Sequence, residues 1–220
     1  MQLFAIRPKK KRKRQVAKIA LYTVSFDIGE MRRHNSSLND FCRTDCEYRN
    51  PSCQEECNKR GELGRLLYVW RQNGYLIRYF KSQQKQLSER YGLDIKGAIC
   101  RHHQLLDELE DILLKKDISS LFVPLYNRKP HGDVYHPEMK FKSKYFYEDF
   151  ENWLRFYAVK YLDEDTQTEN YIITGGSIKL VGVMSAFAPI DYEESKQDKV
   201  IQFLIDNEIT TRDKIEKITL

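Results

Sequence analysis

The spacing of apolar residues changes three times along this chain, and those changes dictate the order in which helices and strands are laid down. From Leu38 to about Lys115 the pattern is helical, with Leu66, Leu67, Trp70, Tyr75, Leu76, Tyr79 and Phe80 recurring every three or four residues. A second run, through Ile99, Leu105, Leu106, Leu109, Ile112 and Leu113, repeats the spacing after a break at Gly92. Such intervals collect side chains on one face of a helix. Beyond residue 120 the period falls to that of strands, in "SLFVPLYN" (120–127), "FKSKYFYE" (141–148), "NWLRFYAVKYL" (152–162) and "NYIITGGSIKLVGVM" (170–184). One earlier stretch, "VAKIALYTVSF" (16–26), is also β-branched and aromatic and reads as a strand.

After Pro189 the helical period returns. Asp191 with Glu194 marks a helix start, and Val200, Ile201 and Leu204 supply its apolar face. A short final helix is expected from Thr210 or Thr211, carrying Ile215 and Ile218. Strand, helices, strands and helices in that order predict an α+β fold. The expected sheet is antiparallel, with an N-terminal strand, a large helical segment and C-terminal helices. "DEDTQTEN" is short enough to join two neighbouring antiparallel strands, whereas "RKPHGDVYHPEMK" reads as a longer loop.

At 220 residues and 41% hydrophobic content the chain can build a substantial core. It contains no apolar run of about 18 residues, so no membrane partner is expected. The first residues, "MQLFAIRPKKKRKRQ", place apolar groups before charges, the reverse of a secretory signal, which predicts a cytoplasmic protein. "PKKKRKR" resembles a short basic nuclear import signal, so the expected site becomes nuclear in a eukaryotic host.

The formal charge is +5, yet Arg7, Lys9, Lys10, Lys11, Arg12, Lys13 and Arg14 alone supply +7 and leave the remainder at −2. Basic character therefore belongs to one short stretch and not to the body. Residues 1–15 are expected to form a flexible arm able to hold nucleic-acid phosphates, or simply a solvated tail. Residues 16–220 are expected to form a single domain, with the helical, cysteine-containing segment inserted at about 38–116.

"CRTDCEYRNPSCQEEC" contains Cys42, Cys46, Cys53 and Cys57, two pairs each separated by four. On a helix that interval puts both thiols of a pair on one face. Asn50 and Pro51 can turn the chain, and Ser52 with Glu55 has the form of a capping box. Four converging thiolates suit structural zinc in a reducing compartment. In an oxidising one the pairs Cys42–Cys57 and Cys46–Cys53 suit disulfides, and four unlinked thiols are the third outcome. Cys100, His102 and His103 form a weaker cluster, because adjacent histidines on a helix point to different sides.

The stretch "YIITGGSIKL" (171–180) gives up two side chains just before it places a charge. Adjacent glycines in a strand permit a bulge or a close approach by another group. Alternation sets Ile172, Thr174, Ile178 and Leu180 on one face and Ile173, Ser177 and Lys179 on the other. If the partner strand aligns its apolar residues, Arg155, Tyr157, Ser177 and Lys179 share an open surface. Two cations there could stabilise phosphate charge while Tyr157 stacks on a base or relays a proton. Pairing of Arg155 and Lys179 with nearby carboxylates is the competing structural reading.

The region from Trp153 to about Asn207, with Arg155 on one strand, a hairpin, Lys179 on the next and then a proline and a helix, resembles bacterial mRNA interferase toxins of the RelE/HigB type. "TGGSIKL" also resembles proteins of Bacteroidetes-like genomes that carry a Gly-Gly, Ile-Lys signature. The first resemblance implies a small antiparallel sheet preceded by helices, with Arg155 as the catalytic-site arginine and Lys179 as the late-strand lysine. It implies an RNA-binding or RNA-cleaving protein, a metal-independent ribonuclease if it is an enzyme, with an antitoxin-like protein partner. The alternative expectation is a non-enzymatic, nucleic-acid-associated accessory protein of a mobile element or virus, docking through the basic arm.

Overall fold

A computed structural model describes residues 1–6, 20–25, 51–115, 122–124, 135–139, 152–163, 165–166, 169–180, 189–211 and 213–215. The described elements begin with strands β1 (Gln2–Ala5) and β2 (Ala20–Ser25). Helices α1 (Pro51–Trp70), α2 (Asn73–Ser82) and α3 (Ile95–Lys115) follow, with a π-helical turn at Leu87–Tyr91 between the last two. Then come β3 (Val123–Pro124), β4 (Tyr135–Met139), β5 (Leu154–Leu162), β6 (Glu169–Ile178) and α4 (Pro189–Asp206).

The fold is α+β, as the change of period requires. Its six described strands lie in the order β1-β2-β6-β5-β4-β3. The expected antiparallel sheet is corrected in one respect, since β2 runs parallel to β6 and the sheet is mixed. A 3.6-period segment of several helices intervenes between the two strands, which is the kind of long crossover a parallel pair needs.

Two further expectations change. Gln2–Ala5 is not part of a flexible arm: it pairs antiparallel with β2, from Gln2↔Ser25 to Ala5↔Tyr22, and buries Leu3. The apolar "QLFA" that precedes the charges is thus an edge strand. The loop expected at 128–140 contains β4, paired with β5 from Tyr135↔Tyr161 to Met139↔Tyr157. Pro137 disguised it, because proline is rare inside a sheet. The short β3 pairs with Met139 and Glu138.

Helices cover both faces of the sheet. On one side Leu66, Trp70, Leu76, Phe80, Leu105 and Leu109 pack with Leu154, Phe156, Ala158, Ile173 and Ile178 of the sheet. On the other, Val200, Ile201 and Leu204 of α4 pack with Tyr22, Val159, Tyr161 and Ile172. Central strands buried on both sides lose clean polar alternation, which explains why β5 and β6 read as almost continuous apolar runs.

Gly92 ends the π-helical turn in the left-handed region at φ 62°, the conformation that suits glycine. The buried histidine of α3, His102, lies edge-on to Trp70 and Phe80 and accepts a hydrogen bond at Nδ1 from the Trp153 indole at 3.3 Å. Burial pushes its pKa down to about 3, so the ring is neutral at ordinary pH. His103 lies on the adjoining side of the helix, 3.0 Å from Asn73 Oδ1. The two rings serve different environments, as helical geometry demands.

Candidate functional site

The glycine pair sits immediately after a β-bulge. Tyr157 pairs with Gly175 and Ala158 with Ile173, which leaves Thr174 as the extra residue on β6. Thr174 donates its hydroxyl to the Tyr157 carbonyl at 3.2 Å. The bulge shifts the expected parity: Ile172 faces α4, whereas Ile178 faces α1 to α3. Both glycines then receive close approaches from opposite sides. A Cβ on Gly176 would lie 2.6 Å from the Arg155 carbonyl and 3.0 Å from the Trp70 ring. One on Gly175 would coincide with the Glu193 carboxylate of α4.

Past the bulge, Arg155 pairs with Ser177, and the Lys179 amide donates to the Trp153 carbonyl at 2.7 Å, continuing the ladder beyond β6. This register makes Arg155 and Lys179 diagonal neighbours on one face, a separation of about 7–8 Å for such pairs. Both are half-buried. Arg155 Nη1 donates to the carbonyls of Asn152 and Leu154, which folds the guanidinium back over the start of its own strand. The backbone around Lys179 is fixed from the opposite side. Tyr79 donates its hydroxyl to the Ile178 carbonyl at 2.6 Å, and Tyr91 donates to the Leu180 carbonyl at 3.3 Å.

The sequence reading correctly groups Arg155, Tyr157 and Ser177 on one face, but that face is not open along its whole length. Tyr157 is completely buried and Ser177 nearly so. Helix α4 lies over them, so Tyr157 is not available to stack on a base. Burial pushes its phenol up to about 12, with the Ser177 hydroxyl as a polar neighbour and Glu193, Glu194 and Arg155 in electrostatic range.

Next to Tyr157 is a cluster that the sequence reading missed. Lys196 Nζ bridges Glu193 at 2.9 Å and Glu62 at 3.0 Å, and Arg65 pairs with Glu62 at 2.7 Å. All four side chains are buried. The cluster joins α4 to α1 near where the β2–β6 pairing ends, at Thr23↔Ile173. Gly61 breaks α1 there with φ 63°, and Thr23 Oγ1 accepts the hydrogen bond of the Leu63 amide at 3.0 Å, capping the second half of the helix from another element. Burial raises Glu193 to about 7, against the opposing pull of Lys196 and the Gly176 amide.

A signal for this cluster was present. Glu193, Lys196 and Gln197 continue the α4 stripe of Val200, Ile201 and Leu204 toward its N-terminus, and Glu62 and Arg65 do the same for Leu66, Val69 and Trp70. Charges on the apolar stripe of two helices are the mark of a buried ion network.

Several expected site residues fall elsewhere. Arg7, Lys9, Lys10, Lys11, Arg12, Lys13, Arg14, Cys42 and Cys46 lie outside the described residues. Cys53 and Cys57 are one turn apart on the described backbone of α1, but their side chains lie outside the description. Among the described residues, no group of three or more His, Cys, Asp or Glu side chains is placed to hold a metal ion. Cys100 is an exposed free thiol. No described helix is long and apolar enough to cross a membrane. Comparison with protein-family models, curated proteins and solved structures returns no match.

Proposed function

We propose that this protein binds RNA through its phosphates, with Arg155 and Lys179 as the charged contacts. The observation that carries this reading is the register: two half-buried cations stand diagonally on one face, on a strand end whose backbone is fixed by Trp153, Tyr79 and Tyr91. Fixed cations lose little freedom when an anion docks, and they recognise backbone rather than base sequence. Complete burial of Tyr157 favours binding over cleavage, because a proton-transfer group must reach the reacting oxygen.

A second reading has its own support. The basic run at 7–14 follows β1 and precedes β2, so the chain holds it to the sheet at both ends. Nucleic acid docked there would meet a tethered connection in a non-enzymatic accessory protein. β1 finishes at the end of the sheet where β6 begins, whereas Arg155 and Lys179 lie where β6 finishes. The two readings therefore predict separable footprints.

The test is the affinity of a single-stranded RNA oligonucleotide as a function of salt. Each phosphate contact on a single strand contributes about 0.7 to the slope of log affinity against log salt. The R155A/K179A variant is expected to bind more weakly and to reduce that slope by about 1.4. An unchanged slope, with binding lost only when residues 7–14 are neutralised, assigns the contact to the basic connection. Shortened oligonucleotide in the wild-type reaction, absent with R155A/K179A, would instead establish cleavage.

A further inference from the structure

We propose that RNA binding at Arg155 and Lys179 is coupled to proton uptake by the buried carboxyl of Glu193, so that the protein holds RNA more tightly on the acid side of neutrality. The inference rests on the phosphate-binding reading and adds a regulation to the same site.

The geometry is a continuous row on the α4 side of the sheet. Lys179 is at the rim, Ser177 with Arg155 opposite comes next, and Gly175 with Tyr157 opposite follows. Glu193 rests on Gly175 because no side chain occupies that place. Two residues along a strand span about 6.6–6.8 Å, and the Arg155 guanidinium is folded back toward Asn152, so a phosphate held by Arg155 lies on the order of 10–13 Å from the Glu193 carboxyl. Fully buried Tyr157 stands beside that path and lies in electrostatic range of both Glu193 and Arg155. A charge acting through a packed interior is screened far less than one acting through water.

Among the described residues, the groups around Glu193 come from α4, α1, β5 and β6. Lys196 faces it from its own helix, and Glu194 is the next residue there. Glu62 lies across the lysine on α1, with Arg65 behind it. Tyr157 faces it from β5, and the Gly176 amide and Ser177 hydroxyl belong to β6. With its proton affinity already near neutrality, Glu193 is poised to respond to one more charge. A bound phosphate is a like charge and favours the protonated acid. By linkage, the proton favours the phosphate to the same degree. Affinity is therefore highest below pH 7, falls as pH rises through that region, and levels once Glu193 is ionised in both free and bound forms. A unit charge at this separation and an effective dielectric constant near 20 changes affinity by about tenfold.

The experiment measures dissociation constants of a single-stranded RNA oligonucleotide by fluorescence anisotropy at constant ionic strength, from about pH 5.5 to about pH 8.5, which brackets a group titrating near 7. Wild-type affinity is expected to fall about tenfold over this span. E193Q keeps the size of the side chain and mimics the neutral acid, so it should bind at every pH as wild type does at the acid end. Calorimetry of the wild-type protein at pH 7, in buffers of different ionisation enthalpy, should show fractional proton uptake on RNA binding. Equal pH dependence in wild type and E193Q, or no proton exchange in the wild type, overturns the coupling while leaving the binding reading intact. Absence of RNA binding at every pH removes both.

Discussion

A methyl group has no room at position 176. Its neighbours would be a backbone carbonyl, which cannot move without breaking the β5–β6 ladder, and the Trp70 ring, packed edge-on against Phe156 at a centroid distance of 5.2 Å. At position 175 the obstruction is the end of the Glu193 side chain, which can swing aside if it gives up Lys196. G176A is therefore expected to destabilise the protein by about 1–3 kcal/mol, the ordinary range for overpacking. The chemical denaturation midpoint of this variant decides it, and a midpoint equal to that of the wild type would mean that the carbonyl and the Trp70 ring yield without cost. Two glycines that look alike in the sequence thus answer to different partners. Glycine signals that something approaches the backbone, but the identity of the visitor depends on elements distant in the chain. Tyr157 shows the same limit. Its face followed from alternation, whereas its burial depends on α4, which no strand pattern reveals.

Helices α1 and α4 come from distant parts of the chain, and four buried charges join them. Lys196 is the shared cation of two carboxylates, so K196M leaves Glu62 with Arg65 alone and strips Glu193 of its counter-charge. Removal of one member of a buried ion network costs about 3–5 kcal/mol. Replacing both ends, in K196M/E193L, should recover part of this loss, because an apolar pair leaves one fewer orphaned charge. Thermal or denaturant unfolding of the single and double variants tests this, and a double variant less stable than K196M would show that the charges are not acting together. The elements themselves were largely legible. The period-3.6 runs located α2 and α3, and the proline with its acidic neighbours located α4. What escaped was pairing. Local pattern does not say which strand lies beside which, so the parallel β2–β6 contact was invisible, and Pro137 concealed β4 because proline is rare inside a sheet.

At the scale of the molecule, the sheet is covered by helices on both faces, and its two ends carry different chemistry. At one end β1 and β5 finish and β2 and β6 begin, and the far end bears Arg155 and Lys179. Because Gln2–Ala5 is a strand, deletion of residues 1–15 should do more than remove charge: it should uncover the edge of β2 and lower the unfolding midpoint. Substituting glutamine for the seven basic residues should leave that midpoint nearly unchanged. A truncation as stable as the full chain would show that β1 adds nothing to the sheet. The α+β class and the face shared by Arg155 and Tyr157 were readable from residues alone. The covering of that face was not, since it arises from the bulge at Thr174 and from a helix that begins beyond the last strand.

The parallel contact between β2 and β6 also sets a timetable. A ribosome releases Ala20–Ser25 long before it makes Asn170–Ile173, so β2 must wait for one of its two neighbours until β6 is made. Until then its exposed side is a sticky edge that other nascent chains could occupy, and closure of the sheet is tied to the arrival of β6.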